Sequence, residues 1–161
     1  MEIRLATLDD AQAIADIYNR EVTGSLVTFD LVPRTLEAQQ AWVAAHAGVH
    51  PAVVAVDDLE VVGFGSLSQY KERPAYATTV EDSVYIRHDR VGRGAGKAVL
   101  SELTRLATIH GFHTVIARIV NGHEASISLH RSCGFELVGI EREVGRKFGK
   151  WLDVAVMQLL L

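Results

Sequence analysis

Three glycines on alternate positions, Gly92, Gly94 and Gly96, give the sequence its first feature that could do chemistry. Glycine gives up side-chain packing and lets the backbone come close to a ligand. An apolar helical pattern follows, and the N–H groups and macrodipole of a helix N-terminus favour an anion. Arg93 and Lys97, four residues apart, would add positive charge around a pyrophosphate. The alternative is a plain strand-to-helix turn whose basic side chains are only solvated.

The spacing of these glycines differs from two well-known phosphate-binding motifs. A dinucleotide fingerprint has the form G-x-G-x-x-G with an acidic residue about 20 positions later. Here the form is G-x-G-x-G, and no Asp or Glu lies between Glu102 and Glu124. A P-loop has four residues before its Gly-Lys pair and Ser or Thr after it. Here three residues precede that pair and Ala98 follows it, so only the shared physics of an anion at a helix N-terminus applies.

The elements that must position this turn alternate between strand and helix patterns. Helical spacing of apolar residues predicts helices in DDAQAIADIYNREV, TLEAQQAWVAAHAG, GKAVLSELTRLATIHG and HEASISLHRSCGF. Alternation and β-branched runs predict strands in EIRLATL, PAVVAV, EVVGFGSLSQY, ATTVEDSVYIR, HTVIARIV, ELVGIEREVG and WLDVAVMQLLL. The order β-α-α-β-β-β-α-β-α-β-β predicts an α/β (α+β) fold, with one mixed sheet of about seven strands flanked by about four helices.

Composition bounds the class of protein. A chain of 161 residues fits one domain, residues 1–161. Charges near the N-terminus, and no apolar run near the ~18 residues of a membrane span, predict a cytoplasmic protein without a membrane partner. The net charge of −4 disfavours a nucleic-acid partner. Cys133 is the only cysteine, which excludes an internal disulfide framework and a multi-cysteine site, and we expect no metal.

Several segments resemble one enzyme family. The segment from Val91 to Gly96 has the form V-x-x-G-x-G after a long strand, and ASISLHRSCGF has the form of a short helix ending in Gly-Phe. Both are similar to signatures of the GNAT superfamily of acetyl-CoA-dependent N-acyltransferases. The segments TVEDSVYI, SLHRSCGF and VGRKFGKWLDVAVMQL resemble the phosphinothricin and methionine sulfoximine N-acetyltransferase group within it. The resemblance covers nearly the whole chain.

This resemblance implies a GNAT fold with acetyl-CoA as co-substrate. The pantetheine arm would lie in a V-shaped split between the strands around residues 78–87 and 113–120, with the pyrophosphate on the glycine turn. Backbone groups of Val84, Tyr85 and Ile86 would pair with the pantetheine amides, a form of β-augmentation. The other implied cofactor-binding residues are Val91, Gly92, Arg93, Gly94, Ala95, Gly96, Lys97, Asn121 and Ser128.

Two positions depart from the superfamily pattern. Val91 stands where Gln or Arg is usual, and backbone amides rather than that side chain are expected to carry the phosphate binding. His123 stands where an Asn often contacts the cofactor. Asn121, two residues away, is expected to supply that contact.

Acetyl transfer to an amine requires a base, because only the neutral amine attacks a thioester and most of it is ammonium at neutral pH. Glu81 lies in the middle of a strand pattern suited to burial, which would raise the pKa of its carboxyl. From the sequence alone, a glutamate facing solvent beside Asp82 is equally compatible. The resembled group has its general base here, acting directly or through water.

His130 is the second expected catalytic residue. It occupies a position where many relatives carry Tyr and the resembled group carries His, and an imidazole can protonate a departing thiolate at neutral pH. The alternative is a histidine that only packs. His130 and Cys133 at i and i+3 make a poor zinc site. Cys133 lies at a helix end without an evident base, which disfavours a covalent acyl-enzyme.

The resemblance implies small amino acids with a phosphinate or sulfoximine tail as substrates. In the loop KERPAY, Arg73 has the forked shape that suits a carboxylate, and Tyr76 lies beside it. Phe29, in the loop after the first helix, is expected to line the opposite wall. In the group a basic hairpin crosses a dimer interface, so Lys147 and Phe148 would complete the neighbour's pocket in a homodimer. The alternatives are a solvated turn and a solubilising hairpin tip.

The sequence therefore predicts direct acetyl transfer from acetyl-CoA to the amino group of a small amino-acid-like substrate. Such substrates are of the phosphinothricin, methionine sulfoximine or methionine sulfone type, with Glu81 as general base. One alternative is a GNAT enzyme for another amine, a polyamine or a protein N-terminus, with an acidic or open pocket in place of Arg73. The other alternative is a non-catalytic CoA-binding module.

Overall fold

Seven strands form one mixed sheet in the computed structural model, which describes all 161 residues. Their spatial order is β1-β2-β3-β4-β5-β7-β6, so β1 and β6 are the edges. The strands are β1 (Glu2–Leu5), β2 (Ala52–Asp57), β3 (Glu60–Gln69), β4 (Thr79–Ile86), β5 (Thr114–Val120), β6 (Glu136–Lys147) and β7 (Lys150–Leu160).

Four α-helices accompany the sheet, in the order that the sequence predicts. They are α1 (Ala11–Gly24), α2 (Leu36–Ala45), α3 (Ala95–Ile109) and α4 (Glu124–Ser132). Thr35 caps α2, since its hydroxyl oxygen accepts a hydrogen bond from the Ala38 N–H at 3.1 Å. None of the helices combines the length and apolar character needed to span a membrane. The predicted mixed α/β architecture is confirmed.

The only parallel neighbours in the sheet are β4 and β5, because α3 carries the chain back between them. Their register runs from Thr79 opposite Thr114 to Asp82 opposite Ala117 and then stops. Both strands continue, but β4 pairs only with β3 and β5 only with β7 beyond that point. We call the Asp82–Ala117 pair the vertex, and the V-shaped split opens from it.

Apolar side chains cover both faces of the sheet. The larger core cluster packs α3, through residues such as Leu100 and Leu103, on one face, and the smaller cluster packs α1 on the other. Successive side chains of a strand point to opposite faces. Val80 and Val84 of β4 belong to the α3 face and Tyr85 to the α1 face. Asp82 therefore points toward α3, and Glu81 points toward α1.

Candidate active site

A cavity of about 530 Å³ lies along the split between β4 and β5. Its wall combines the diverging halves of both strands with the turn before α3 and with parts of α1 and α4. The lining includes Glu21, Asp82, Val84, Tyr85, Ile86, His88, Val91, Gly92, Gly94, Gly96, Lys97, Arg118, His123, Ser126 and His130. Most of the residues expected to bind a cofactor are thus brought together.

Backbone conformation explains two of the three glycines in the turn. Gly92 and Gly94 have φ angles of +79° and +86°, in the left-handed region that favours glycine. A Cβ added at either would meet no atom within 4 Å, so open space lies above the turn. Gly94 is the N-cap of α3, and no side chain caps the first N–H groups of that helix. Those donors are available to an anion.

Gly96 has a different task, because a Cβ there would lie 3.1 Å from Leu129 Cδ2. Its absence lets α3 approach α4. Past the vertex, the facing edges of β4 and β5 have no strand partner across the split. The site therefore offers free main-chain groups for an extended amide-bearing arm, next to uncapped helix donors for a diphosphate. These features fit coenzyme A.

Four residues expected to bind the cofactor lie outside the cavity wall. Ala95 is buried in the larger core cluster at the start of α3. Arg93 and Ser128 are exposed to solvent on other surfaces of the turn and of α4. The backbone N–H of Asn121 donates to the carbonyl of Asp153 at 2.8 Å, which fixes the turn after β5 against β7.

His123, and not Asn121, lies on the cavity wall. Asn121 is exposed to solvent, and a contact between its side chain and the cofactor stays a prediction. Burial lowers the pKa of His123, and the negative charge of Glu21 partly opposes that effect. The imidazole is therefore biased toward its neutral form.

Glu81 is half-buried on the α1 face of β4, immediately before the vertex. Burial raises the pKa of its carboxyl. The positive charge of Arg118 lowers that pKa, while the charges of Asp82 and Glu141 raise it further. Arg118 itself forms an ion pair with Glu141. The pKa of this carboxyl is therefore raised, which is the direction that favours a general base near neutral pH.

His130 is buried and contacts a second buried group, Asp82. Its Nε2 lies 2.9 Å from Asp82 Oδ2, and its Nδ1 lies 2.8 Å from the backbone carbonyl of Ser126. Burial alone would lower the pKa of His130, but the hydrogen bond and charge of Asp82 outweigh it, and the pKa is raised. His130 is therefore hydrogen-bonded through both ring nitrogens in the protein interior. Sequence reasoning missed Asp82 as a site residue, although strand alternation places it on the buried face with Val80.

Glu21 is a second carboxylate that sequence reasoning missed. It is buried in α1, where its Oε1 accepts a hydrogen bond from His88 Nε2 at 2.6 Å and its Oε2 accepts one from the Ser25 hydroxyl at 2.6 Å. Both Glu21 and His88 line the cavity. The sequence did indicate that Glu21 is buried, because it lies at helical spacing from the apolar residues Ile17 and Tyr18.

Lys147 is buried within its own chain, with only 2% of its surface exposed. Its ammonium donates to the backbone carbonyl of Thr28 at 2.8 Å, and the carbonyl of Glu21 lies 3.4 Å away. Burial lowers the pKa of this ammonium, and the charges of Asp30 and Glu21 partly restore it. The placement corrects the expectation that Lys147 reaches into a neighbour's pocket, because its hydrogen bonds hold it in the chain.

The other residues expected to bind substrate lie on the surface. Arg73 is exposed at the start of the short turn Pro74–Tyr76 and makes no ion pair. Tyr76 packs edge-on against Tyr70, with the ammonium of Lys71 above both rings. Phe148 is 59% exposed at the tip of the β6–β7 hairpin. None of these side chains lines the cavity.

Phe29 is 41% exposed and lies against Gly145 of β6, where an added Cβ would overlap its ring. The loop after α1 and the β6–β7 hairpin are therefore in direct contact at two points, Phe29 over Gly145 and Lys147 beneath Thr28. We call this the loop–hairpin contact.

Comparison with known proteins identifies the family to which this chain is similar. Residues 3–156 match the model of the acetyltransferase (GNAT) domain. The chain is 40% identical over 161 residues to the L-methionine sulfoximine/L-methionine sulfone acetyltransferase of Pseudomonas paraeruginosa, which covers 99% of this chain and 94% of that protein.

Two solved structures are similar over the same length. One is a GNAT superfamily phosphinothricin acetyltransferase from Sinorhizobium meliloti in complex with acetyl-CoA, with a TM-score of 0.95, 38% identity and coverage of 99% of this chain and 88% of that one. The other is the ribosomal-protein-alanine N-acetyltransferase from Brucella melitensis, with a TM-score of 0.97, 36% identity and full coverage of both chains. Because the domain model and these relatives span nearly the whole chain, it belongs to the GNAT family of acetyl-CoA-dependent N-acetyltransferases.

Proposed function

We propose that the protein acetylates the amino group of a small amino-acid-like substrate of the phosphinothricin, methionine sulfoximine or methionine sulfone type. The observation that carries this proposal is the 40% identity, over 99% of the chain, to an acetyltransferase named for methionine sulfoximine and methionine sulfone. The similar structure named for phosphinothricin supports the same substrate class.

Main-chain groups do most of the cofactor binding in this proposal. The free edge of β4 from Val84 to Ile86 pairs with the amides of the pantetheine arm. The N–H groups from Gly92 to Gly96 hold the diphosphate, and the ammonium of Lys97 adds charge. When bound, acetyl-CoA supplies an activated acetyl thioester, whose carbonyl carbon the neutral amine attacks.

Glu81 is the general base of the proposed reaction. Its half-buried carboxyl, with a raised pKa, removes a proton from the substrate ammonium and so frees the nitrogen lone pair. His130, on the opposite face of the sheet, supplies a proton to the departing sulfur. Glu81 directly precedes Asp82 of the vertex, and His130 contacts Asp82.

Arg73 and Tyr76 hold the substrate carboxylate in this proposal, and Phe29 and Phe148 complete the pocket. The support for Arg73 is chemical: its guanidinium is exposed, forms no ion pair, and has the fork that matches a carboxylate. A pocket for a ribosomal protein's N-terminus would have to accept a longer backbone. That second candidate function is favoured only by the likeness to the Brucella melitensis enzyme.

We also propose that the enzyme is a homodimer. The edge strand β6 and the start of β7 expose large apolar side chains, each between 41% and 60% accessible. These are Leu137, Val138, Ile140, Val144 and Trp151. A second copy of the chain would cover them and the unpaired strand edge. Sedimentation equilibrium should give twice the chain mass, and a single-chain mass at micromolar concentration would reject the dimer.

A panel of amines with acetyl-CoA and a thiol-release assay tests the substrate class. Phosphinothricin, methionine sulfoximine and methionine sulfone should be acetylated, while spermidine should not. Glu81→Gln should lose turnover and keep the calorimetric affinity for CoA. No activity on any carboxylate-bearing amine would reject the proposal, and acetylation of a peptide with an N-terminal alanine alone would establish the second candidate.

A further inference from the structure

Asp82 and His130 form the most completely buried pair of titratable groups in the site. Only 1% of the Asp82 side chain and 4% of the His130 side chain are exposed. Asp82 stands at the vertex, where the register of β4 and β5 ends. Both residues line the cavity. The pair therefore lies at the closed end of the split.

The hydrogen bonds of His130 determine where its protons lie. A backbone carbonyl can only accept a hydrogen bond, so Nδ1, at 2.8 Å from the Ser126 oxygen, must carry a proton. Nε2 faces Asp82 Oδ2 at 2.9 Å. One proton must occupy that contact as well, because two lone pairs facing each other would repel. The open question is whether nitrogen or oxygen holds this proton.

The environment favours nitrogen as the holder of the shared proton. The second carboxylate oxygen, Asp82 Oδ1, is buried and has no hydrogen-bond partner in the protein. A buried carboxylate is costly unless a positive charge compensates it. An imidazolium at 2.9 Å is the cation that contacts it. The raised pKa of His130 has the same cause.

Other charged groups belong to the same site on neighbouring elements. His123, before α4, lies near enough for the charge of His130 to lower its own pKa. Arg118 of β5 and Lys97 of α3 line the same cavity. The ring of Phe135 packs edge-on against His130, with centroids 5.0 Å apart. Asp82 is thus the only negatively charged group that contacts the imidazole.

We propose that Asp82 is a positioning residue that holds His130 protonated at both ring nitrogens. The consequence for catalysis rests on the proposed function. As the carbon–sulfur bond breaks, its electron pair stays on sulfur. The Nε2–H then leaves its hydrogen bond with Asp82 Oδ2, and the sulfur takes that proton. The nitrogen of the new amide then releases a proton that restores the imidazolium. The pair ends each cycle as it began, and Glu81 passes the first substrate proton to solvent.

Nitrogen-15 NMR of the full chain, without acetyl-CoA or amine, tests the proton state directly. The His130 signals, assigned by their loss in His130→Gln, should show both ring nitrogens protonated at about pH 7. In Asp82→Asn the Nδ1 proton should remain, while the proton affinity of Nε2 should fall about tenfold or more. Glu21→Gln is the matched control, because it removes the buried carboxylate beside His88 and should leave the His130 titration unchanged.

Two results would overturn the proposal: an unprotonated Nε2 in the wild-type chain near neutral pH, or a His130 titration that Asp82→Asn does not move. The wild-type spectrum decides the matter even where Asp82→Asn does not fold. The measurement needs no turnover, so an inactive amine panel would reject the substrate class and leave this result standing. In the active enzyme, Asp82→Asn should shift the alkaline limb of kcat to lower pH.

Discussion

The Lys147 ammonium and the Thr28 carbonyl are joined by a buried hydrogen bond of 2.8 Å between residues 119 positions apart in the sequence. This bond, with Phe29 over Gly145, fastens the β6–β7 hairpin to the loop after α1. Both segments carry residues that we propose to line the substrate pocket. The wall of that pocket therefore depends on contacts between two distant parts of the chain.

Lys147→Met keeps the apolar stem of the side chain and removes its donors. The buried Thr28 carbonyl then lacks its partner, which should lower the free energy of unfolding by about 1–3 kcal/mol. Urea denaturation of both proteins measures the difference. Lys150→Met, at an exposed position of the same hairpin, is the control and should change stability by less than about 0.5 kcal/mol. Equal effects of the two variants would show that the Lys147 hydrogen bond stabilises nothing.

Gly145→Ala should push the Phe29 ring away from β6, because the new Cβ would overlap it. Phe29 is partly exposed, so the ring can turn outward with little loss of stability. We expect KM for the amine to rise several-fold while the affinity for CoA stays constant. Gly139→Ala lies in the same strand with no atom within 4 Å of its Cβ, and it should behave as wild type. Unchanged KM in Gly145→Ala would place Phe29 outside the amine pocket.

Gly94→Ala should weaken CoA binding through the backbone of the turn. A non-glycine residue in the left-handed region costs about 1–2 kcal/mol, and relaxation of the turn would misalign the N–H groups at the start of α3. Gly48→Ala has a similar positive φ of +104° and open space around it, in a loop outside the cavity. Both variants should lose stability, but calorimetry should find weaker CoA binding only in Gly94→Ala. Equal CoA affinities would locate the diphosphate elsewhere.

Arg118→Gln should raise the pKa of Glu81 further, since it removes a positive charge that lowers that pKa and frees Glu141 from its ion pair. The acid limb of the kcat/KM profile should move to higher pH. Arg105→Gln, which breaks an exposed ion pair on α3, should leave the limb in place. Glu81→Gln should lower kcat by about 10²–10⁴-fold. If the acid limb of Arg118→Gln lies at the same pH as that of the wild type, the general base is a group other than Glu81.

The raised pKa of His130 makes the stability of the fold depend on pH. Because the folded state binds this proton more tightly, its contribution is fully present below the ordinary value of 6.5 and is lost as pH rises through the folded-state pKa. The stability difference between wild type and His130→Gln should therefore shrink as pH rises across that window. Urea denaturation at a series of pH values measures it. Parallel profiles for the two proteins would contradict a raised pKa.

Local patterns were enough to predict the architecture. Periodicity gave the order of strands and helices, and the helix between β4 and β5 is the kind of crossover that a parallel pair needs. The alternate glycines predicted an open turn at a helix N-terminus, which their φ angles explain. These features depend on residues close together in the sequence, and the resemblance to known segments added the split.

Contacts between distant residues could not be predicted in the same way. Asp82 and His130 are 48 positions apart, and Glu21 and His88 are 67 apart. Alternation gives the face on which Asp82 lies, but the docking of α4 decides which side chain it meets. Lys147 shows the limit most clearly, because a lysine in a basic hairpin is usually solvated and only the tertiary structure supplies carbonyls to bury it.

Within the sheet, only four paired positions, from Thr79–Thr114 to the vertex, join strands β1–β4 to strands β5, β7 and β6. This short parallel pairing is the weakest junction of the sheet, and the reaction that we propose takes place where the pairing ends. A co-substrate that hydrogen-bonds to the free edge of β4 and fills the split would add contacts beyond the last strand pair, and these contacts would hold the two parts of the sheet together. Amide hydrogens of β4 and β5 should then exchange more slowly as a larger fraction of the protein binds the co-substrate. Their exchange rates would therefore report that fraction.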